Sequence, residues 1–196
     1  AFNLLDNMHG LCAGVAVIAL GLFAAVMVIT GQPGLAVALL ILLGAAGGFL
    51  LFNFPQGRTF LGDGGSYFLG FWIACLTVSA TFYFRDRGMP APVVCFPLFV
   101  MAVPLYDTAS VVWIRLRRGR PIFEADRNHL SHRLEAMGLS RTEAVMAIWV
   151  LTLAVGLPSV LMYCTTEIGS IIALLQVLLV LGLVAMLERA GGRRGP

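Results

Sequence analysis

The sequence predicts an all-α integral membrane protein, a polytopic bundle of about six transmembrane helices that forms a single domain over residues 1–196. Hydrophobic residues make up 59% of the chain and charged residues only 12%, whereas soluble domains carry about 25% charged residues. Apolar runs long enough to cross a bilayer, which takes about 20 residues, recur along the whole length. Together these observations exclude a soluble fold.

Six apolar runs account for most of the chain. None of them contains Lys or Arg, and most contain no charged residue at all. The first two are separated only by a Gly- and Pro-containing turn at 30–34, which predicts an antiparallel hairpin. The last two are joined around Glu167 in a similar way. The predicted transmembrane helices cover residues 11–30, 34–53, 67–84, 92–114, 143–163 and 168–187.

The arginines indicate how the helices are oriented. All thirteen basic residues are Arg, and eleven lie in segments that six spans place on one side: the N-terminal stretch, the loops at about 54–66 and 115–141, and the tail. Only Arg85 and Arg87 lie in the opposite loop. Since basic loops stay in the cytoplasm, we expect a multi-pass protein of the cell (inner or plasma) membrane whose arginine-rich face is cytoplasmic. The net charge of +3 does not indicate a nucleic-acid partner.

A first polar cluster, Asn3, Asp6, Asn7 and His9, lies directly before the first apolar run. Asn3 and Asp6, and also Asp6 and His9, share a face if the segment is helical. Asp6 or Asn7 can also be interpreted as a helix cap whose side-chain oxygen accepts a hydrogen bond from an unpaired backbone N–H. Capping explains one residue but not a group of polar side chains at a membrane surface, and the cluster is therefore a candidate site.

A second cluster places Asp63 among the glycines of Gly62-Asp63-Gly64-Gly65-Ser66, at the cytoplasmic mouth of the third run. Glycines permit turns that other residues cannot make, and N–H groups at a helix start suit a magnesium-bound diphosphate. No Gly-Lys-Ser/Thr follows, which excludes a P-loop. A glycine-rich turn capped by Asp63 or Ser66 stays open as the alternative.

The third cluster lies in the 115–141 loop. Topology or anionic lipid explains most of its arginines, but two imidazoles and two guanidiniums within seven residues suit recognition of a phosphate or diphosphate. A zinc site is not favoured, because no cysteine or second carboxylate pair lies nearby. The four side chains are those of Arg127, His129, His132 and Arg133.

Asp107 lies within the fourth apolar run, about two helical turns before Arg115. An ionisable group at membrane depth is a functional hypothesis by default. A local structural partner explains it equally well, so Asp107 is a second-tier candidate.

In this order, the clusters resemble the motifs of the polyprenyl-phosphate N-acetylhexosamine-1-phosphate transferases, the superfamily that includes the bacterial phospho-N-acetylmuramoyl-pentapeptide transferase. Residues 1–11 resemble its Asn-x-x-Asp-x-x-Asp-Gly-Leu motif, and residues 60–70 resemble its Gly-Asp-x-Gly-Ser motif. Residues 119–134 resemble its histidine motif and are most similar to the branch that acts on UDP-N-acetylglucosamine-type donors. The resemblance extends over essentially the whole chain.

The resemblance implies transfer of a UDP-linked N-acetylhexosamine 1-phosphate to undecaprenyl or another polyprenyl phosphate, with release of UMP, which starts a cell-wall or surface-polysaccharide lipid intermediate. It implies Mg²⁺, or Mn²⁺ in its place, as the cofactor and the bilayer as a partner, with a homodimer left open. The implied catalytic residues are Asp6, Asp63, His129 and His132, of which Asp6 and Asp63 bind the metal. The implied substrate-binding residues are Asn3, Arg120, Arg127 and Arg133. The second-tier candidates are His9, Asp107 and Ser66.

The chain departs from the family pattern at several points. His9 stands where the pattern has an aspartate, and Ser131 stands where many relatives carry another histidine. The Asp-Asp motif that the family carries on an earlier cytoplasmic loop does not occur in these 196 residues. We therefore expect the C-terminal part of a larger transferase that is inactive alone. The alternative is a non-catalytic, degenerate relative or a transporter-like protein that binds polyprenyl phosphate.

Overall fold

The computed structural model describes residues 1–121 and 128–191. Within these ranges all regular secondary structure is helical, which confirms the predicted all-α fold. Arg127, predicted to bind substrate, lies outside the described residues. The helices are α1 (Phe2–Leu5), α2 (Leu11–Ile29), α3 (Pro33–Asn53), α4 (Gly62–Ser79), α5 (Phe96–Val100), α6 (Ala102–Arg117), α7 (Leu130–Ala136), α8 (Arg141–Leu161) and α9 (Glu167–Gly191).

Four helices in the described part of the chain are long and apolar enough to cross a membrane, or five if a bent pair counts as one span. The four are α2, α3, α8 and α9. This agrees with the predicted polytopic helical bundle. The third predicted span corresponds to α4, which begins at Gly62 rather than 67 and ends at Ser79 rather than 84. Its first turn consists of glycines and Asp63, so α4 is less apolar than the four long helices.

The predicted span 92–114 is broken. A 3-10 turn and α5 together cover Ala91–Val100 and meet α6 at an angle of 65°. Pro104 explains the break, since a proline ring clashes with the carbonyl four residues earlier and has no N–H to bond it. That carbonyl belongs to Val100, where α5 ends. The predicted loop at 115–141 is also shorter than expected, because α6 continues to Arg117 and α7 occupies its middle.

Helix α2 is the centre of the bundle and packs against α3, α4, α5 and α8. At Gly14 a Cβ would overlap the Trp149 ring, so this glycine lets α8 lie directly against α2. Phe23 meets Phe96 of α5 edge-on with ring centroids 5.5 Å apart, and both rings are buried. The outer faces of α3 and α9 are largely exposed and carry apolar residues, as is expected of lipid-facing helices.

The two ends of the bundle have different compositions. At one end, Gln32 of the α2–α3 turn accepts from the N–H of Thr81 (2.9 Å), and the Tyr163 hydroxyl donates to the carbonyl of Phe82 (3.0 Å). The opposite end carries the N-terminal segment, the start of α4, the whole of α7 and the end of α9. The described members of all three polar clusters therefore lie at the same end of the bundle, as predicted.

Candidate active site

A cavity of about 560 Å³ opens at this end, between the N-terminal segment, the turn before α4, and the α7–α8 region. Three of the predicted site residues line this cavity: Asp6 and His9 of the first cluster, and His132 of the third. Further polar side chains in the wall are those of Asn7, Asn53, Arg141 and Thr142.

Asp63 lies in the first turn of α4 and is tied to the N-terminal segment by Asn3. The Asn3 side-chain amide donates to Oδ1 of Asp63 (2.8 Å) and to Oγ of Ser66 (3.2 Å). Ser66 is buried and donates in turn to the backbone carbonyl of Asp63 (3.1 Å). Asn3, which is 60 or more positions from the other two in sequence, thus joins α1 to α4 through Asp63 and Ser66.

Asp6 lies close enough to Asp63 for the two charges to interact. Burial raises the pKa of the Asp6 carboxyl, and the negative charge of Asp63 raises it further; the backbone N–H of Gly62 and the His9 imidazole lower it. A carboxylate whose charge is disfavoured by burial and by a second carboxylate is stabilised by a nearby cation. The electrostatics therefore favour a cation at this pair.

The pair Asp6 and Asp63 fits the way in which proteins usually hold Mg²⁺, with one or two carboxylates while water and substrate phosphates complete the octahedron. Over residues 1–121 and 128–191 the structure has no group of three or more His, Cys, Asp or Glu side chains placed to hold a metal. Asp6 and Asp63 would then supply only part of the ligands of a bound cation.

Helix α7 brings the histidine motif against the N-terminal segment. The Ser131 hydroxyl, which is buried, donates to Oδ1 of Asn7 (2.7 Å). The neighbouring His132 lines the cavity, with Nδ1 3.4 Å from Oε2 of Glu135. This contact joins the two motifs whose convergence was predicted.

Arg141, in the first turn of α8, is a cavity residue that the sequence analysis did not single out. Its Nε donates to Oε1 of Glu135 (3.2 Å), and this bond, followed by the contact with His132, lowers the pKa of Glu135. The Arg141 guanidinium and the His132 ring thus lie in the same wall of the cavity. The positive charge of Arg141 is complementary to the negative charge of the carboxylates. An Arg at the start of an apolar run was the only signal in the sequence, and topology explained it equally well.

His129 and Arg133 do not line the cavity. His129 is only 6% exposed, and its Nδ1 lies 2.9 Å from Oδ2 of Asp107. Arg133 donates through Nε to Glu188 (2.9 Å) and through Nη2 to Ser110 (2.8 Å). Arg133, which was predicted to bind substrate, is therefore hydrogen-bonded to residues of α6 and α9.

The other described positions that were predicted also lie apart from the cavity wall: Asn3, Asp63, Ser66, Asp107 and Arg120. Arg120 is exposed just beyond the end of α6. Asp107 is buried in α6, where it contacts the histidine motif. Of the two interpretations of Asp107, the structure shows the local partner.

The turn before α4 is shaped around His9 and Asn53. A Cβ at Gly57, whose φ is +62°, would lie 2.5 Å from Nε2 of His9, and the imidazole packs edge-on against Phe60 with centroids 5.4 Å apart. The buried Asn53 amide donates to the carbonyl of Thr59 (2.6 Å) while its oxygen accepts from the N–H of Gly10. Asn53 was not identified from the sequence, because an Asn at the end of an apolar run carries no functional signal.

Comparisons with known proteins identify the family. Residues 1–81 match the family model described as glycosyl transferase family 4. A probable undecaprenyl-phosphate N-acetylglucosaminyl 1-phosphate transferase of Bacillus subtilis (strain 168) is 34% identical over 152 residues, which cover 77% of this chain and 41% of the relative. A decaprenyl-phosphate N-acetylglucosaminephosphotransferase of Mycolicibacterium smegmatis is 30% identical over 219 residues, which cover 100% of this chain and 52% of the relative.

A third relative, the undecaprenyl-phosphate alpha-N-acetylglucosaminyl 1-phosphate transferase of Escherichia coli (strain K12), is 27% identical over 153 residues, which cover 76% of this chain and 40% of the relative. The chain spans about half the length of the curated relatives it matches. No solved structure is significantly similar to it. With its motifs gathered at one end of a helical membrane bundle, the chain belongs to the polyprenyl-phosphate N-acetylhexosamine-1-phosphate transferase superfamily, glycosyl transferase family 4.

Proposed function

We propose that the protein to which this chain belongs transfers N-acetylhexosamine 1-phosphate from a UDP-linked donor to undecaprenyl or a related polyprenyl phosphate and releases UMP. The observation that carries the proposal is the cavity in which Asp6, close to Asp63, shares a wall with His132 and Arg141. The printed names of the relatives support a polyprenyl-phosphate acceptor and an N-acetylglucosamine phosphate as the transferred group. The product would start a cell-wall or surface-polysaccharide lipid intermediate.

The reaction divides between an acidic and a basic part of the site. Asp6 and Asp63 would hold Mg²⁺, which offsets charge on the donor diphosphate. Asn3 orients Asp63 through its 2.8 Å hydrogen bond. His132 and Arg141 are placed to donate to phosphate oxygens, the kind of charge-assisted contact that guanidinium groups make well.

The bonds balance without a further reactant. An oxygen of the lipid phosphate attacks the phosphorus that carries the sugar, and the bond from that phosphorus to the oxygen of UMP breaks. Because the attacking and leaving groups are both phosphate oxygens, positioning and electrostatic stabilisation supply most of the catalysis. The negative charge that leaves with UMP needs the cationic wall of the cavity.

The location of the cavity favours surface chemistry over transport. Transporters place their binding sites near the membrane midplane, often in broken helices, whereas here the polar lining gathers at one end of the bundle. The cavity lies at the arginine-rich end, so the proposed active face is the cytoplasmic one. A water-soluble donor and a lipid acceptor can meet at such a surface.

His9 favours a second candidate function. It lies in the cavity wall where the family pattern has an aspartate, and it lowers the pKa of Asp6 rather than adding a third carboxylate. A degenerate relative that binds polyprenyl phosphate without turnover would tolerate this exchange. Restoring the aspartate by His9→Asp separates the two functions.

The test is release of UMP from UDP-N-acetylglucosamine and undecaprenyl phosphate by the full-length gene product in detergent micelles, with and without Mg²⁺. We expect magnesium-dependent release that falls about 100-fold or more in Asp63→Asn, the size of effect seen when an electrostatic catalytic group is removed. Asp86→Asn, a carboxylate at the opposite end of the bundle, is the matched control and should leave the rate unchanged. The 196 residues alone are expected to bind the donor without releasing UMP.

Two results would overturn the proposal. One is the absence of UMP release from the full-length protein and from its His9→Asp variant alike, which leaves the non-catalytic relative. The other is an equal loss of rate in Asp63→Asn and Asp86→Asn, which would show that the acidic pair has no special place in the reaction.

A further inference from the structure

Asp107 and His129 form a buried pair beside the cavity, between α6 and the start of α7. Asp107 is 1% exposed and His129 6%. Oδ2 of Asp107 lies 2.9 Å from Nδ1 of His129, and Oδ1 accepts the backbone N–H of Leu130. One carboxylate therefore contacts both a ring nitrogen and the first backbone N–H of α7.

The chemistry of these contacts determines which ring nitrogen carries the proton. An ionised carboxylate only accepts hydrogen bonds, so both of its oxygens require donors. Leu130 supplies a backbone N–H, and the imidazole can satisfy the other oxygen only if Nδ1 is protonated. Nε2 is then the ring nitrogen that has no proton and can accept a hydrogen bond.

Other groups near the carboxylate of Asp107 add donors and positive charge. Nη2 of Arg133 lies 4.0 Å from Oδ1 and supplies a counter-charge. The same Nη2 is held by Oγ of Ser110, whose hydroxyl donates to the backbone carbonyl of Asp107 (2.9 Å). The groups that face the carboxylate from α6 and α7 are thus donors or a cation.

We propose that Asp107 is a positioning residue for the histidine motif. Its carboxylate holds His129 in the Nδ1–H tautomer and fixes the first turn of α7. As a result His132, three residues further on, lies in the cavity wall. Asp107 itself does not line that wall. It acts through α7, and Ser131 of the same turn holds the other side of this helix to Asn7 (2.7 Å). The link to turnover rests on the proposed function, while the tautomer does not.

An amide at position 107 is the sharpest probe, because it keeps the shape and replaces one acceptor by a donor. In Asp107→Asn, either the NH₂ group faces Nδ1, which forces His129 into the Nε2–H tautomer, or it faces the N–H of Leu130 and loses that bond. Asp107→Glu keeps two acceptor oxygens and serves as the conservative variant. Both effects follow from the donor and acceptor inventory of the groups.

The experiment is nitrogen-15 NMR of the full chain in detergent micelles, labelled at histidine and leucine, with a Leu130→Ile variant to assign the Leu130 amide. The chain has only three histidines, so His9→Gln and His132→Gln variants assign the remaining signal to His129. At a pH about two units above the ordinary imidazole pKa of about 6.5, we expect wild-type His129 to be in the Nδ1–H form. In Asp107→Asn we expect either the Nε2–H form or a new solvent-exchanging N–H at Leu130, and in Asp107→Glu a return of the wild-type pattern.

Glu135→Gln is the matched control, since it alters a different histidine–carboxylate contact, at His132. It should leave the His129 signal unchanged. A wild-type His129 that is mainly Nε2–H, or an Asp107→Asn chain with both the His129 tautomer and the Leu130 amide unchanged, would overturn the proposal. If Asp107→Asn fails to fold, the wild-type tautomer and Asp107→Glu still decide it.

Turnover of the full-length protein gives an independent arm. Substitution of a residue that orients a functional side chain typically costs 10- to 100-fold in activity, and we expect that loss in Asp107→Asn, mostly in kcat. In a His129→Gln background the imidazole is already absent, so the part of the kcat loss that Asp107→Asn causes through the imidazole should disappear. The expected tautomer without any UMP release would refute the proposed function alone, whereas UMP release with an unchanged rate in Asp107→Asn would refute the positioning role.

Discussion

Ser131 and Asn7, which are 124 positions apart in sequence, are joined by a hydrogen bond of 2.7 Å. The bond connects the histidine motif to the N-terminal motif at the wall of the cavity. Ser131 stands where many members of the family carry a histidine. The two halves of the candidate site are thus held together by a contact between neutral side chains.

Ser131→Ala should therefore destabilise the chain and loosen α7. Removing the buried partner of a hydrogen bond lowers the free energy of unfolding by about 1 kcal/mol. In a chain of this size that loss lowers Tm by about 2–4 °C. Thermal unfolding in detergent micelles measures the shift. Ser79→Ala, at an exposed hydrogen bond of the opposite end, is the control, and an equal shift in both variants would contradict a special role for Ser131.

Gly57→Ala should destabilise the chain for two separable reasons. The left-handed φ of +62° costs a residue with a Cβ about 1–2 kcal/mol, and the new Cβ would meet the His9 imidazole. Gly88→Ala has the same φ of +62° with no atom within 4 Å and so reports the backbone term alone. We expect the larger loss of Tm in Gly57→Ala.

His9→Ala in the Gly57→Ala background should recover the steric part of this loss and leave the backbone part. The double variant should then match Gly88→Ala, with each change in Tm referred to its own parent chain. Equal losses in the two single glycine variants would show that the imidazole moves aside without cost.

Asp6→Asn should raise stability at neutral pH. Because the pKa of Asp6 in the folded chain is raised above its ordinary value of 3.8, the folded state binds more protons than the unfolded state between these two values. Stability is therefore lost as pH rises through that window, and the neutral amide avoids the loss. Its oxygen can still accept from the N–H of Gly62.

The measurement is Tm as a function of pH for the wild type and for Asp6→Asn. The advantage of the amide should be complete above the raised pKa and shrink as pH falls toward 3.8. A constant difference at all pH values would contradict the electrostatic explanation, because it would point to packing.

Arg141→Ala should weaken binding of UDP to the chain. A hydrogen bond to a charged group contributes about 1.5–3 kcal/mol, which corresponds to a loss of roughly tenfold to a hundredfold. Calorimetric titration with UDP measures it. Arg117→Ala is the matched control: Arg117 is an exposed arginine near the same end that stacks on Trp113 (4.7 Å) and does not line the cavity, and an equal loss there would indicate general attraction to a basic surface.

Hydropathy was sufficient to predict the long helices of the bundle. Helix α2 was predicted at 11–30 and ends at Ile29, and α3 was predicted at 34–53 and begins at Pro33. These helices are apolar throughout and interact with their surroundings mainly through burial, so composition alone locates them. The start of α4 was missed for the opposite reason, since the polar and glycine residues of its first turn have no hydropathic signal.

Motif order was sufficient to predict that the clusters converge, but not which side chains reach the cavity. His129 and Arg133 look equivalent to His132 in sequence, yet their partners are Asp107 and Glu188, 22 and 55 positions away. Such pairings depend on how α6 and α9 pack against α7. Arg141 and Asn53 were overlooked because a single polar residue at the end of an apolar run is indistinguishable from a topological signal.

The ion pair between Arg133 and Glu188 connects α9 to the histidine motif. Nε of Arg133 and Oε1 of Glu188 are 2.9 Å apart, both side chains are largely buried, and the Tyr106 hydroxyl donates to the other oxygen of Glu188 (2.6 Å). A chain shortened to a point before Glu188 would take from the largely buried Arg133 guanidinium the nearer of its two carboxylate partners, next to the histidine motif. Loss of the end of α9 should therefore destabilise a turn that lies 55 positions upstream.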